Sequence, residues 1–138
     1  LYKIVSKCNT VVYGNKPVYY YMIRRDSTIG TLDPVKNKDF LLAAKEVHTY
    51  VLNYCYTIRK AADFKLFQAA IEMFVHLPKK TNNYEQKSYK EELWEYIIKY
   101  RLQIVQDKNC RFKYRILALV SFLGQTILSR FFQFASRR

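Results

Sequence analysis

Beyond residue 37, apolar side chains recur every three or four positions, and that period predicts a succession of helices. Over 38–60 the positions Phe40, Ala44, Val47, Val51, Tyr54 and Ile58 mark one helical face. A second helix follows, with Asp63 as its cap and a stripe of Phe67, Ile71 and Phe74 that ends before Pro78. The polar stretch KKTNNYEQ separates it from a third. There Ser88 and Glu91 have capping-box spacing, while Asn82 with Glu85 offers an earlier start. The apolar face of this third helix is Tyr89, Leu93, Tyr96, Ile97, Tyr100 and Ile104, and DKNC (107–110) ends it. A last helix is expected over 111–135. Phe112, Ile116, Leu119, Leu123, Ile127, Phe131 and Phe134 form its stripe, widened by Leu117, Val120, Leu128 and Phe132.

The first thirty residues follow a different period. TVVYGNKPVYYYMI reads as two short strands, 11–13 and 18–23, because aromatic and β-branched residues suit a half-covered pleated surface. Gly14-Asn15 suits the tight turn between them, and Pro17 fits a strand start or edge. Directly after comes RRDS, a loop of hydrogen-bond donors suited to an anion. The expected fold class is therefore mainly α: about four helices with a short N-terminal β-hairpin.

Composition supports a packed chain. Half of the 138 residues are hydrophobic and 17% aromatic, which argues against wholesale disorder. There are three glycines and three prolines, and all the prolines precede residue 79, so later helices meet no proline break. Cys8, Cys55 and Cys110 are odd in number and far apart, without the spacing of a disulfide framework or a zinc site. They are expected to be buried free thiols in a reducing compartment. The opening LYKIVSKCN lacks both a methionine and the apolar run of a signal peptide, and is read as the interior of a longer protein.

The net charge of +13, from 24 basic and 11 acidic residues, points to a phosphate-bearing ligand, nucleic acid or an anionic membrane surface. Nucleic acid is not expected. The tyrosines at 50, 54, 89, 96 and 100 fall at helical spacing, where core packing explains them, and no RNA-binding sheet or helix-turn-helix signature appears. The uncharged run 116–129 is shorter than the ~20 residues that span a bilayer, and it carries Ser121, Gln125 and Thr126. Self-association through this last helix is expected, with peripheral membrane contact as the alternative.

Catalytic constellations are missing from the pattern. His48 and His76 lie on different helices without a partner at metal-ligand spacing, and Glu91, Glu92 and Glu95 read as the solvated face of a helix. There is no P-loop, no G-x-S-x-G and no glycine-rich dinucleotide turn. No catalytic residue and no metal ligand are assigned within the chain.

The stretch IVSKCNTVVYGNKPVYYYMIRRDSTIG (4–30) resembles the end of the catalytic domain in bacterial family 2 glycosyltransferases, inverting enzymes of the GT-A fold. That family carries a β-segment of the type "v.y...plYyYr.r..Si", onto which Pro17, Tyr19, Tyr21, Arg24 and Ser27 fall. Met22 departs from the pattern where a basic residue is common, so Arg24 or Arg25 would supply the charge. The resemblance covers about the first thirty residues well and the helical remainder loosely. It implies that 1–35 is the remnant of a GT-A domain and 36–138 a helical C-terminal region. The parent would be an enzyme of cell-surface polysaccharide biosynthesis. It would transfer a sugar from a nucleotide-diphosphate sugar to a glycan acceptor, with a divalent metal (Mn or Mg). The metal-binding DxD and the acidic ED motif would precede Leu1, leaving this fragment inactive by itself. Arg24, Arg25 and Ser27 would form the donor-diphosphate loop, with Tyr21 as a substrate-side aromatic. Work in the cytoplasm, at the inner face of the membrane, is implied. The alternative is a non-catalytic basic helical module that binds an anionic membrane surface or a partner protein.

Overall fold

A computed structural model describes residues 2–12, 14–16, 34–77 and 84–135. The chain divides into two units, 1–33 and 34–138. In the first, a single helical turn, α1 (Tyr2–Val5), precedes backbone without regular structure. Of the expected hairpin, Val11 and Val12 are extended to solvent and belong to no strand, while Tyr13 and 17–23 lie outside the described residues. Mainly α is the fold class that the described residues show.

The second unit is an all-helical bundle of α2 (Pro34–Tyr54), α3 (Arg59–His76), α4 (Tyr84–Gln106), α5 (Phe112–Ser121) and α6 (Gln125–Ala135). α2 opens on Pro34, at the one helical position where a missing N–H and a fixed φ cost nothing. The sequence reading treated that proline as loop. A single 3₁₀ turn (Tyr56–Ile58) then breaks the chain at Cys55, so the expected helix over 38–60 ends at Tyr54. Neither glycine nor proline marks the break. α3 begins at Arg59, with Ile58 at its cap position. Asp63 is therefore no cap: it lies one turn inside α3, and only 2% of it is exposed.

α3 is the central element, packed against α2, α4 and α6. It is buried on most of its circumference, which suits a helix enclosed by others. Ala69 and Ala70 keep its surface shallow between the larger Phe67, Ile71 and Phe74. Opposite them α4 supplies Leu93, Ile97, Tyr100 and Ile104, the expected face, with its start at Tyr84 taking the earlier of the two candidate positions. Trp94 and Phe74 stack with ring centroids 5.2 Å apart. Of the face expected over 38–60, Ala44 and Val51 hold, and its ends do not. Leu41, Ala44 and Val51 are buried, whereas Phe40, Tyr54 and Ile58 are exposed.

The expected last helix is two. α5 ends at Ser121, and α6 starts after Gly124, whose φ of +99° is a left-handed conformation that L side chains rarely adopt. The two helices turn Tyr114, Leu117, Ala118 and Leu128 into the common core. Of the expected stripe, Phe112, Leu119, Leu123, Ile127 and Phe131 are exposed, while Leu117 and Leu128, expected to widen it, are buried in the core.

This elbow fixes the sign of one substitution. Gly124→Ala should destabilise the chain by roughly 1–2 kcal/mol, because a side chain is strained at this φ although open space surrounds the Cα. Were 111–135 one continuous helix, alanine would stabilise it by about 1 kcal/mol instead. Denaturant unfolding of the two proteins decides between the signs.

Candidate functional site

Tyr21, Arg24, Arg25 and Ser27, the residues assigned to the donor loop, lie outside the described residues. What the helical unit does bring together is a buried polar cluster around Asp63. Its Oδ1 accepts a hydrogen bond from His48 Nε2 on α2 at 2.8 Å. Its Oδ2 accepts from Gln103 Nε2 on α4 at 3.2 Å, and from Arg59 Nε one turn earlier on α3 at 3.4 Å. Tyr100 Oη lies 3.3 Å from the same His48 nitrogen. Arg59 is itself placed by a 2.5 Å hydrogen bond to the Tyr56 hydroxyl.

A carboxylate taken out of water needs partners for its charge and its lone pairs. Asp63 has them from three consecutive helices. A histidine beside a carboxylate and a tyrosine has the composition of an acid–base site, so the geometry matters. General base chemistry needs a ring nitrogen within reach of a substrate proton. Here His48 Nε2 is committed to Asp63 and Tyr100, and only 12% of its side chain is exposed. The cluster ties helices together rather than presenting a base. A structural, hydrogen-bonded histidine is what the sequence favours at position 48 over a metal ligand, and the structure adds Asp63 as its partner. The available signal was positional: His48, Asp63, Tyr100 and Gln103 all sit on or beside the apolar faces of three successive helices.

A second cluster joins α3 to α5. The Tyr114 hydroxyl donates to Glu72, and Gln68 Nε2 donates to that hydroxyl at 2.8 Å. Burial, then the hydrogen bond to Glu72, pushes the Tyr114 phenol up to about 12. Tyr89 is likewise pushed up to about 12, by burial and then by the Glu92 carboxylate. Burial pulls the Lys45 ammonium down, but its contact with Glu92 outweighs this and leaves it above its ordinary value. Glu92 is thus a half-buried partner of α2, a departure from the expected solvated face, while Glu91 and Glu95 are exposed as expected.

Between α2 and α4 lies a cleft of about 350 Å³, lined by Lys38, Lys45, Glu85, Glu92, Ser88 and Tyr89 among others. Two cations face two carboxylates there, which leaves no net preference for an anion. Among the described residues no group of three His, Cys, Asp or Glu side chains could hold a metal ion. Nor is any helix among them long and apolar enough to cross a membrane. Cys110 is buried, its thiol pushed up by burial and by Asp107, as expected of an inert thiol. Cys8 is exposed and Cys55 half-buried, so burial is not common to the three. His76 is exposed, with its ring edge-on to Phe132 at 5.2 Å.

No protein-family model, curated protein or solved structure matches the chain.

The raised phenols give a pH dependence of defined sign. Tyr89 and Tyr114 hold their protons from the ordinary 10.0 up to about 12, so the folded chain binds more protons than the unfolded one across that interval. Their stabilising contribution is complete below pH 10.0 and is lost as the pH rises toward 12. A tyrosinate absorbance titration should show a late class of phenols, reduced by one in Tyr114→Phe. Titration of every tyrosine near 10.0 would contradict the packing of both residues.

Proposed function

We propose that the chain is the C-terminal region of an inverting family 2 glycosyltransferase that builds cell-surface polysaccharide in the cytoplasm. The observation that carries this reading is the set Pro17, Tyr19, Tyr21, Arg24 and Ser27, which match the family's β-segment and loop in one short span. The nature of the helical unit supports it. Among the described residues, the polar groups with chemical potential are consumed in ties between helices, as expected of a scaffold that backs a catalytic domain.

Under this reading the acceptor is a glycan and the donor a nucleotide-diphosphate sugar. As the glycosidic bond breaks, negative charge grows on the leaving diphosphate. Arg24 and Arg25 would donate charge-assisted hydrogen bonds to it, with Ser27 adding a neutral donor. Tyr21 would face the substrate side of the β-segment. Among the described residues no group fits the family's divalent metal. The metal-holding motif and the catalytic acid belong, in this reading, to the part of the enzyme preceding the β-segment.

In the full-length enzyme, Arg24→Ala or Arg25→Ala should lower kcat by about a hundredfold, the usual loss for one donor to a developing anion. Lys38→Ala, on the helical unit, should leave kcat unchanged. Wild-type kinetics in both arginine variants would remove the donor-loop assignment.

A further inference from the structure

α5 and α6 each turn one side to the core, which leaves the opposite sides uncovered. Phe112, Leu119, Leu123 and Phe122 are 74%, 53%, 64% and 48% exposed, and Ile127 and Phe131 are 45% and 38% exposed. Six large apolar side chains in one elbow expose on the order of 500 Å² of apolar surface, more than scattered exposure accounts for. Around them cations predominate, although Lys113 Nζ lies 3.8 Å from the Glu72 carboxylate. From Arg111 to the end of the chain there are six basic residues and no acid. From α4, Arg101 adds its guanidinium 4.1 Å from the Phe122 ring centroid, held by a 3.1 Å hydrogen bond to the Ser121 carbonyl.

We propose that this elbow docks on an anionic lipid surface. The inference does not depend on the transferase reading. Charge selects the occupant. A two-fold pairing with a second copy, the association expected from the sequence, would bring Arg111 and Arg130 close to like cations of the partner. Phosphates of a nucleic acid would be met by phenylalanine and leucine. A lipid surface satisfies both features, because the aromatic and aliphatic side chains enter the boundary between headgroups and acyl chains while the cations meet lipid phosphates. Helix length is consistent with lying on the surface. α5 and α6 have 10 and 11 residues, about 15 Å each, half of what a span requires.

The test uses the 138-residue chain and sedimentation with phosphatidylcholine vesicles, prepared with or without phosphatidylglycerol. Binding is expected only with phosphatidylglycerol present, and it should weaken as salt is raised. Leu123→Glu with Ile127→Glu should reduce binding about tenfold or more. Arg111→Glu with Arg130→Glu, at exposed positions outside the core, should do the same with an unchanged helical spectrum. Failure to bind, or binding by either double variant as strong as that of the wild type, overturns the proposal. So does a dimer in light scattering that stays off the vesicles and dissociates in Leu123→Glu with Ile127→Glu, which assigns the face to a second copy.

Discussion

The helical unit is organised by one carboxylate. Asp63 is ionisable, sits in the middle of the bundle, and takes hydrogen bonds from α2, α3 and α4 at once. Removing a carboxylate from water costs several kcal/mol before any partner is met. A pairing that offsets this cost requires every donor to be in place. His48 must face inward from α2 and Gln103 from α4. With His48 turned to Asp63, Leu41, Ala44 and Val51 of the same helix lie in the core and Phe40 and Tyr54 lie outside it. Such a cluster adds little net stability compared with a purely apolar one, and it constrains which faces meet.

The remaining contacts extend the same bundle outward. Glu72, about two and a half helical turns further along α3, holds Tyr114 and through it α5. Arg115 donates to the Val105 carbonyl at 3.2 Å near the end of α4, and Arg101 reaches the end of α5, so α5 is fastened near both of its ends to the last turns of α4. Gly124 then reverses the chain so that α6 can return to α3. Among the described residues of this unit, no buried side-chain polar atom lacks a hydrogen-bond partner. Chemistry or binding on this unit must come from its exposed faces, and the least matched of these is the basic, apolar elbow.

Periodicity made the elements of α3 and α4 legible, because their faces are bounded by strong apolar repeats and, in α3, by Pro78. It was less informative where the core carries polar residues. On α2 the apolar pattern found the buried Ala44 and Val51, but it passed over the inward His48 and included the exposed Phe40 and Tyr54. The break at Cys55 carries no glycine or proline and could not be seen. At residue 124 the glycine was visible, but an uninterrupted apolar run on either side read as one helix. That run also had two apolar sides, and pattern alone does not say which side a core takes. The donor-loop assignment rests on sequence, since Tyr21, Arg24, Arg25 and Ser27 lie outside the described residues.

That Asp63 couples α2 to α3 through His48 is the claim on which this account stands. A double-mutant cycle of His48→Gln and Asp63→Asn, measured by denaturant unfolding, tests it most directly. The account expects the two losses to be non-additive, with a coupling of about 1–3 kcal/mol. Additivity within about 0.5 kcal/mol would show that the two side chains stabilise the protein independently, and would contradict it.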